Sequence, residues 1–429
     1  MQTSNRYRNY VLLLLMVVYI FNFIDRQILV ILQESIKAEL GLSDKQLGLL
    51  SGFTFAVFYV VCGIPIARMA DRYNRVNIVS ASIAIWSAMT ALSGFVASFW
   101  QLLAARVGVG IGEAGASPPS HSIISDYFPH SERGRALSFY SMGIYIGILV
   151  GFLIGGWVNQ FFGWRVAFLV VGLPGLLMAV IVKLTLREPP RGQMDDGDHA
   201  NVPESDIVED LGRLWALKSF RYAAFAAGFN AFLGYGSLNF MPSFAIRVYE
   251  VPVGVVGTWL ALIAGLAGAA GVYAGGHLSD HLGRRDDRWA YWVPGISTLI
   301  AGVLLLPMML SGDQYVMWGI YVVVALCQAM FLGPTIAMAH ALVGPRYRAL
   351  ASSVLFFVLN MIGLGLGPLT VGAISDALAP SMGVNSIRWA IMSTALAAFL
   401  GAGLYFNAAR YVRHDLQNDD RREGQGRPG

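Results

Sequence analysis

Residues 67–75 read Ala-Arg-Met-Ala-Asp-Arg-Tyr-Asn-Arg, and residues 276–285 read Gly-His-Leu-Ser-Asp-His-Leu-Gly-Arg-Arg. Each stretch follows a long apolar segment, and their aspartates, Asp71 and Asp280, lie 209 residues apart. A second pair of stretches, Arg-Gly-Arg-Ala-Leu from Arg133 and Arg-Tyr-Arg-Ala-Leu from Arg346, recurs at an offset of 213 residues. Two motifs that recur at nearly the same offset predict that the chain contains a duplicated unit.

The composition indicates that most of the protein surface does not face water. Of the 429 residues, 56% are hydrophobic and 13% are charged, and the mean hydropathy is +0.57. Because soluble proteins carry about 25% charged residues, this composition excludes a soluble globular protein, a disordered chain and a soluble nucleic-acid-binding protein. The two cysteines, Cys62 and Cys327, lie inside apolar segments without metal-ligand spacing, so we expect neither a disulfide nor a metal there.

Twelve apolar segments are long enough to cross a membrane, since about 20 residues at 1.5 Å each cover roughly 30 Å of hydrocarbon. The predicted spans are 11–33, 47–70, 78–98, 100–123, 136–160, 164–185, 221–244, 253–276, 290–311, 315–340, 350–376 and 386–409. We therefore predict an all-α integral membrane protein with two pseudosymmetric six-helix bundles. The bundles are expected at 1–186 and 221–410, with a cytoplasmic linker at 187–220 and a cytoplasmic tail at 411–429. Within the linker, residues 207–217 are expected to form a short surface helix.

The positive charges predict the orientation in the membrane. With a cytoplasmic N-terminus, 23 of the 30 Lys and Arg residues fall on the cytoplasmic side. The exceptions are Lys37, Lys45, Arg165, Arg247 and Arg388 on the outer side, and Arg26 and Arg106 within spans. This asymmetry follows the positive-inside rule, so we expect both termini in the cytoplasm and a location in the cell (inner) membrane.

The duplicated stretches resemble the signatures of a transporter family. Residues 71–75 and 276–285 are similar to the inter-helix signature of the major facilitator superfamily, and residues 106–112, Arg-Val-Gly-Val-Gly-Ile-Gly, are similar to its fourth-helix signature. The first copy departs from the pattern, with Ala67 and Asn74 where glycines are usual. The resemblance implies a secondary active transporter built from two related bundles.

A narrower resemblance joins four stretches of the first half. Asp25-Arg26, residues 71–75, residues 110–114 and residues 187–192, Arg-Glu-Pro-Pro-Arg-Gly, together look like the Spinster family. Animal members of that family move lysolipids and sphingoid phosphates, which implies an amphiphilic or anionic substrate such as a lysolipid. The second half shares mainly the topology of that family.

Four charged residues fall inside the first and fourth spans, at Asp25, Arg26, Arg106 and Glu113. A charge at mid-span costs about 2.5 to 3.5 kcal/mol on insertion scales, so each residue needs a compensating interaction. Asp25 and Arg26 point about 100° apart on a helix and require different neighbours. From their estimated depths we expect Asp25 near Arg106, with Arg26 and Glu113 lining the same cavity.

Two interpretations of these charges remain open. A static ion pair would serve only to orient the helices. Groups that face an aqueous cavity would instead couple proton uptake to transport, because burial disfavours a charged carboxylate and a nearby cation favours it. Arginine stays charged throughout, so displacement of Arg26 would let Asp25 or Glu113 take up a proton. Arg26 is alternatively the group that holds an anionic headgroup.

The second half offers neutral polar residues at the corresponding places. By the repeat offset, Asp25 and Arg26 correspond to Gly234 and Tyr235. The candidates for the lining of the cavity are Asn22, Asn230, Tyr235, Asn239, Gln328 and Asn360. Asparagine within a span often bonds between helices instead of contacting a ligand. A cavity that is charged on one side and polar-aromatic on the other suits an amphiphile.

The duplicated turns are candidates for a conformational latch on the cytoplasmic side. The candidate latch residues are Asp71, Arg72, Arg75, Arg135, Asp280, Arg284 and Arg285. The resemblance implies that Asp71 faces a helix start near Ala351 and Asp280 one near Ala136, where a helix dipole stabilises an anion by about 0.3–1 kcal/mol. The alternative is that the arginines only anchor these turns to lipid headgroups.

Glycines recur through the fifth predicted span, at 143, 147, 151, 155 and 156. Small residues allow helices to approach closely. The spacing is compatible with a moving interface between the halves and equally with plain packing.

Other function classes explain fewer features of the sequence. No nucleophile–base or metal-ligand pattern of a membrane enzyme occurs, so we expect no catalytic residue, no metal and no cofactor. A receptor or scaffold fits twelve spans but explains neither the duplicated turns nor the charges. A proton-coupled multidrug exporter and an organic-acid transporter remain alternatives. The expected partners are a small amphiphilic or anionic substrate, protons and membrane lipid, without nucleic acid, and the protein is expected to be a monomer.

Overall fold

The computed structural model describes residues 4–194, 207–343 and 347–425, and these residues form helices and no strand. The helices of the first half are α1 (Asn5–Leu40), α2 (Asp44–Gly48), α3 (Thr54–Arg72), α4 (Arg75–Ser93), α5 (Phe99–Ala114), α6 (Ser117–Tyr127), α7 (His130–Phe162) and α8 (Trp164–Thr185). A π-helical segment, Leu49–Phe53, joins α2 to α3. The acidic middle of the predicted linker and Arg346 lie outside the described residues.

The remaining helices follow the linker. They are α9 (Ile207–Ala216), α10 (Lys218–Tyr249), α11 (Val253–Leu260), α12 (Gly268–Gly283), α13 (Trp289–Leu310), α14 (Gln314–Ala329), α15 (Leu332–Ala341), α16 (Arg348–Leu359), α17 (Gly367–Met382) and α18 (Ser386–Gln425). Two further π-helical segments join consecutive helices, Ala261–Ala267 between α11 and α12 and Asn360–Leu366 between α16 and α17. The predicted surface helix of the linker corresponds to α9.

Each predicted span matches one helix or two helices in series. Among the described residues, 9 helical segments are long and apolar enough to cross a membrane, and the last of them, Arg348–Gln417, contains the final two predicted spans. The spans at 100–123 and 221–244 correspond to the α5–α6 pair and to α10. The predicted all-α membrane fold with twelve spanning helices is confirmed.

The chain divides into two compact units. The first unit comprises the described residues within Met1–Asn201 together with Ala245–Gly265, and the second comprises those within Val202–Phe244 and Leu266–Gly429. The end of α10 and the whole of α11 therefore pack with the first unit, although they follow the linker in sequence.

Glycines bring α7 against α1 in the first unit. A Cβ atom added at Gly147 would lie 2.6 Å from both the carbonyl oxygen of Ile20 and the Cβ of Phe23, and one at Gly151 would lie 3.1 Å from the Cβ of Gln27. These glycines of the fifth span thus serve close packing within one unit. Their contact holds the stretch of α1 that carries Asp25 and Arg26.

A second close approach positions the fourth span. A Cβ atom added at Gly112 of α5 would lie 2.7 Å from the backbone nitrogen of Trp86 on α4. Trp86 is almost fully buried. The backbone that carries Glu113 is therefore held directly against α4.

The second unit is built around a core that includes Phe220, Tyr291 and Tyr405. At its predicted cytoplasmic end, Asp415 of α18 accepts hydrogen bonds from the backbone nitrogen and the hydroxyl of Ser219, at 2.8 and 2.7 Å. Asp415 is buried. This bond fixes the first turn of α10 to the extension of α18.

Candidate functional site

The four charged residues of the predicted spans come together inside the first unit. The Nε of Arg26 donates a hydrogen bond to Oε2 of Glu113 across 2.7 Å, which joins α1 to α5. Asp25 lies within electrostatic range of Glu113 and of both arginines. Asp25, Arg106 and Glu113 are buried, whereas 18% of the Arg26 side chain is exposed. Arg26 is thus the one member of this cluster whose side chain is partly exposed.

Asp25 has a hydrogen-bond partner that the sequence did not indicate. The hydroxyl of Thr90, on α4, donates to Oδ1 of Asp25, and both side chains are buried. The Nε of Arg106 makes no hydrogen bond to the described residues. The positive charge of Arg106 interacts electrostatically with Asp25 and Glu113.

Asn22 belongs to the same cluster. It lies one turn before Arg26 on α1, is buried, and lies close to the carboxylate of Glu113. The cluster contains two carboxylates and two guanidinium groups, so its formal charges balance. Removing one partner of a buried ion pair costs about 3–5 kcal/mol, so this arrangement resists the loss of a single charge unless another group is neutralised.

The neutral candidates of the second unit form a smaller polar contact. The side-chain nitrogen of Asn230 on α10 donates to the backbone oxygen of Gln328 on α14 at 3.3 Å. The amide nitrogen of Gln328 lies 3.5 Å from the hydroxyl of Ser237. Asn239 instead donates to the backbone oxygen of Tyr235 on its own helix, at 2.8 Å. The structure thus joins Asn230 and Gln328, while Asn239 bonds locally.

Tyr235 and Asn360 are both half-buried. Tyr235 packs against the core of the second unit, and Asn360 begins the π-helical segment between α16 and α17. Whether these residues line a cavity stays a prediction. Among the described residues, no group of three or more potential ligands is arranged to hold a metal ion.

The candidate latch residues of the first unit separate into two kinds. Asp71 and Arg72 are exposed at the end of α3, whereas Arg75 is fully buried at the start of α4. The guanidinium of Arg75 forms ion pairs with Asp126 of α6 and with Glu188, the latter at 2.6 Å. Arg75 therefore joins the start of α4 to the end of α6 and to the segment after α8.

Residues 187–192 add further contacts to the ion pairs of Arg75. The sequence analysis did not predict these contacts. Arg191 donates to the backbone oxygens of Ala70 and Tyr73 at 2.7 and 2.8 Å, where α3 ends. The backbone nitrogen of Gly192 donates to Asp126 at 3.0 Å. The start of the predicted linker is therefore a strap packed on the first unit, and the charged residues that resembled a family motif were the signal for it.

The other latch candidates are exposed. They are Arg135 on α7 and Asp280, Arg284 and Arg285 at the end of α12. The ion pair found nearby in the second unit joins Asp286 to Arg413 at 3.0 Å. Which helix starts Asp71 and Asp280 face stays a prediction.

A second ionic cluster lies at the predicted outer end of the first unit. Arg247 donates to both carboxylate oxygens of Glu34, at 2.9 and 2.6 Å, and to both of Asp44, at 2.7 and 2.6 Å. Lys37 also pairs with Asp44. The single guanidinium thus joins the end of α10 to α1 and to the start of α2. Sequence reasoning missed this cluster, although Arg247 was one of few outer cations.

Comparison with known proteins agrees with this architecture. A model of the Major Facilitator Superfamily matches residues 15–368. A crystal structure of a bacterial homolog of the human lysosomal transporter Spinster, in an inward-facing and unoccupied conformation, is 34% identical, with a TM-score of 0.89 over 96% of this chain and 99% of that chain. The predicted family is confirmed.

The curated relatives are transporters of several kinds. An MFS-type efflux pump of Mycolicibacterium smegmatis is 32% identical over 93% of this chain and 92% of that protein. Protein spinster homolog 1 of Xenopus tropicalis is 26% identical over 96% and 83%, and a probable L-galactonate transporter of Escherichia coli is 25% identical over 95% and 90%. The chain belongs to the major facilitator superfamily, as a multi-pass membrane transporter similar to the Spinster proteins.

Proposed function

We propose that this protein is a proton-coupled secondary active transporter that works by alternating access and moves an amphiphilic or anionic small molecule, such as a lysolipid. The observation that carries the proposal is the buried pair of Arg26 and Glu113, with Asp25 and Arg106 within electrostatic range. A static pair would not need a second buried carboxylate and a second buried guanidinium within electrostatic range.

In this cluster, proton uptake by Glu113 is linked to the displacement of Arg26 from Glu113. Displacement of Arg26 leaves Glu113 buried without its cation, which costs about 3–5 kcal/mol when one partner of a buried pair is removed. A proton on Glu113 removes that cost. An anionic substrate that binds Arg26 in place of Glu113 therefore favours protonation of Glu113. By linkage, protonation of Glu113 favours binding of the anion.

The candidate residues of the first unit differ in chemistry from those of the second unit. The first unit offers the guanidinium of Arg26, which binds carboxylate and phosphate groups in a planar fork. The second unit offers the neutral groups of Asn230 and Gln328. The resemblance to the Spinster family, whose animal members move lysolipids, supports a substrate with an anionic head and an apolar tail.

Two alternatives within transport draw support from the relatives. The similarity to an efflux pump supports a proton-coupled exporter of drugs, and the similarity to a probable L-galactonate transporter supports a carrier of organic acids. An organic acid would also engage Arg26, so the arms of the experiment must separate these substrates. A receptor without transport leaves the buried charges unexplained.

The proposed setting is the inner membrane of a cell, with both termini in the cytoplasm and the protein as a monomer. The distribution of Lys and Arg supports this orientation. The exposed positions of Asp71 and Asp280 are compatible with the proposed latch on the cytoplasmic side.

Transport by reconstituted vesicles tests the proposal. Lysolipids, lipophilic cations and small carboxylates are offered with and without a pH gradient. We expect a gradient to drive uptake of a lysolipid, and Asp25→Asn and Glu113→Gln each to abolish that drive. Glu250→Gln is the matched control, because it removes an exposed carboxylate. Undiminished pH-driven transport in the Asp25→Asn/Glu113→Gln double variant would contradict the proposal.

A further inference from the structure

Three aromatic rings surround the guanidinium of Arg26. Its Cζ lies 4.9 Å from the ring centroid of Phe23, 4.8 Å from that of Phe55 and 5.0 Å from that of Tyr59. A cation within about 6 Å of a ring centroid is attracted by the electron-rich face of the ring. None of these rings carries a charge, so their attraction for Arg26 persists whether or not a neighbouring acid holds a proton.

Neighbouring rings fix this arrangement in place. Phe55 is almost fully buried and stacks on Tyr59, with ring centroids 5.5 Å apart. Phe23 meets Tyr19 edge to face at 5.2 Å. The Cζ of Arg106 lies 5.6 Å from the centroid of Phe55. Phe55 is thus in contact with both arginines of the cluster.

We infer that Phe23, Phe55 and Tyr59 form an aromatic holder that keeps Arg26 in place once Glu113 is neutral, which turns the site into a receptor for an anionic group. The inference rests on the proposed function, since it takes Glu113 as the group that accepts the proton. The three rings are positioning residues that act through Arg26. The ligand class is an amphiphile with a phosphate or carboxylate head.

The difference in exposure between Arg26 and Glu113 supports binding of the anion by Arg26. Glu113 is fully buried, whereas 18% of the Arg26 side chain is exposed. An anion therefore approaches Arg26 and not the carboxylate. Without the holder, a guanidinium that has lost its carboxylate partner would turn towards water. The anion would then meet a mobile cation instead of a guanidinium held in a fixed orientation.

Binding to the purified transporter tests the holder. The anionic probe is oleoyl lysophosphatidic acid, oleate tests the carboxylate head, and monooleoylglycerol is the neutral amphiphile. Tyr59→Leu removes a ring and Tyr59→Phe keeps it. At acidic pH we expect Tyr59→Leu to weaken binding of the anionic probe at least tenfold and to leave binding of monooleoylglycerol unchanged. Tyr59→Phe should bind both as the wild type does.

A Glu113→Gln background separates the holder from proton coupling. Because glutamine imitates the neutral form of the acid, the anionic probe should bind this variant at alkaline as well as at acidic pH, and adding Tyr59→Leu should remove that binding. If Glu113→Gln keeps pH-driven transport, the proposed function fails while the ring effect is still measured. Wild-type binding of the anionic probe by Tyr59→Leu and by Phe23→Leu, in both backgrounds, would overturn the holder alone. Equal losses for the anionic and the neutral probe would also overturn it, since they indicate a general packing defect.

A separate observation concerns α9, which ends just before the membrane helix α10. One flank of α9 is buried, with Leu214 in the core of the second unit. Leu211 and Trp215, four residues apart and so on one face, are each 38% exposed. Arg213 lies on the opposite face, where it donates to the hydroxyl of Tyr347 at 3.4 Å.

Trp215 lies beside the first turns of α10, which carries the predicted span at 221–244. Its ring meets the ring of Phe225 edge to face at 5.8 Å. Phe225 lies seven residues into α10, which is about 10 Å along the helix axis. Tryptophan is enriched where lipid headgroups meet the hydrocarbon. We propose that α9 lies on the cytoplasmic lipid interface, with Leu211 and Trp215 in the lipid and Arg213 in water.

Nitroxide labels test this placement in the full chain, in a Cys62→Ser/Cys327→Ala background and in phosphatidylcholine nanodiscs. Labels at Leu211→Cys and Trp215→Cys should collide more with oxygen than with a water-soluble nickel complex. A label at Ala216→Cys, on the face that the proposal directs towards water, should collide more with the nickel complex than with oxygen. Preference for the nickel complex at all three positions would overturn the proposal. Spin–spin broadening that grows with protein concentration would assign the face to a second copy and overturn it as well.

Discussion

Arg26 and Glu113 form a hydrogen-bonded ion pair of 2.7 Å between α1 and α5, and only the arginine is in part exposed. The two residues are 87 positions apart in the chain. Close packing of α7 on α1 and of α5 on α4 holds their backbones in place. The pair is therefore a product of helix packing in the first unit, and its loss should be felt in stability as well as in transport.

Arg26→Ala should destabilise the protein in a pH-dependent way. The variant leaves Glu113 buried without its cation, which costs about 3–5 kcal/mol for a buried pair. Protonation of Glu113 removes the unpaired charge, so the loss should be large at pH 8 and smaller at pH 5. Melting temperatures in detergent at both pH values measure this. Arg26→Ala/Glu113→Gln should regain stability at pH 8, and an equal loss at both pH values would show that the charge of Glu113 is not involved.

Thr90→Val should weaken the protein through Asp25. The change keeps the shape of the side chain and removes the hydroxyl that donates to Asp25. A buried acceptor that loses its donor costs about 1–3 kcal/mol. A charged carboxylate loses more than a neutral one, so the drop in melting temperature should be greater at neutral than at acidic pH. Thr90→Ser, which keeps the hydroxyl, is the control. Equal melting temperatures for Thr90→Val and the wild type would contradict this role.

Arg72 and Arg75 provide a matched comparison within one duplicated turn. Arg75→Gln should lower the melting temperature strongly, because it leaves Asp126 and Glu188 without their shared cation and breaking a buried pair costs about 3–5 kcal/mol. Arg72→Gln should change it little, because that side chain is exposed. Equal melting temperatures for the two variants would show that the ion pairs of Arg75 do not stabilise the first unit.

Much of the fold was predictable because a membrane imposes a length on each helix and a cost on each charge. Hydropathy located the twelve spans, and the cost of burying Asp25, Arg26 and Glu113 marked the site. The π-helical segments, such as Leu49–Phe53, left no signal because hydropathy does not depend on the hydrogen-bond register of a helix.

Individual partners within the site were harder to predict. Arg26 was expected to share a cavity with Glu113, but the hydrogen bond between them depends on helix rotation, which span boundaries do not determine. The sequence did not indicate Thr90 as a partner of Asp25, because a hydroxyl within a membrane span costs little free energy and is common. Arg247 and Glu34 lie 213 positions apart, so nothing in the local sequence pairs them.

Arg247→Ala should loosen the contact of α10 with α1 and α2 at the predicted outer end of the first unit. The guanidinium donates hydrogen bonds to both carboxylate oxygens of Glu34 and to both of Asp44. Lysine, which carries a single ammonium group, does not reproduce these two bidentate ion pairs. A cysteine introduced at Lys45, next to Asp44 on α2, should react faster with a membrane-impermeant maleimide in the Arg247→Ala variant. Arg247→Lys should give an intermediate rate. Identical labelling rates in all three proteins would show that the cluster does not restrain α2.

Gly147→Ala tests the packing that carries the site. The added Cβ would lie 2.6 Å from the backbone oxygen of Ile20 and from Phe23, so α1 must move away from α7. Overpacking of this kind costs about 1–3 kcal/mol, and because Phe23 is one of the rings around Arg26, binding of oleoyl lysophosphatidic acid should weaken as well. Gly134→Ala is the control on the same helix, since nothing lies within 4 Å of its added Cβ. In a mid-helix position alanine is favoured over glycine by about 1 kcal/mol, so Gly134→Ala should match or exceed the wild type in melting temperature. Wild-type stability and binding in Gly147→Ala would mean that α1 tolerates displacement without disturbing Arg26.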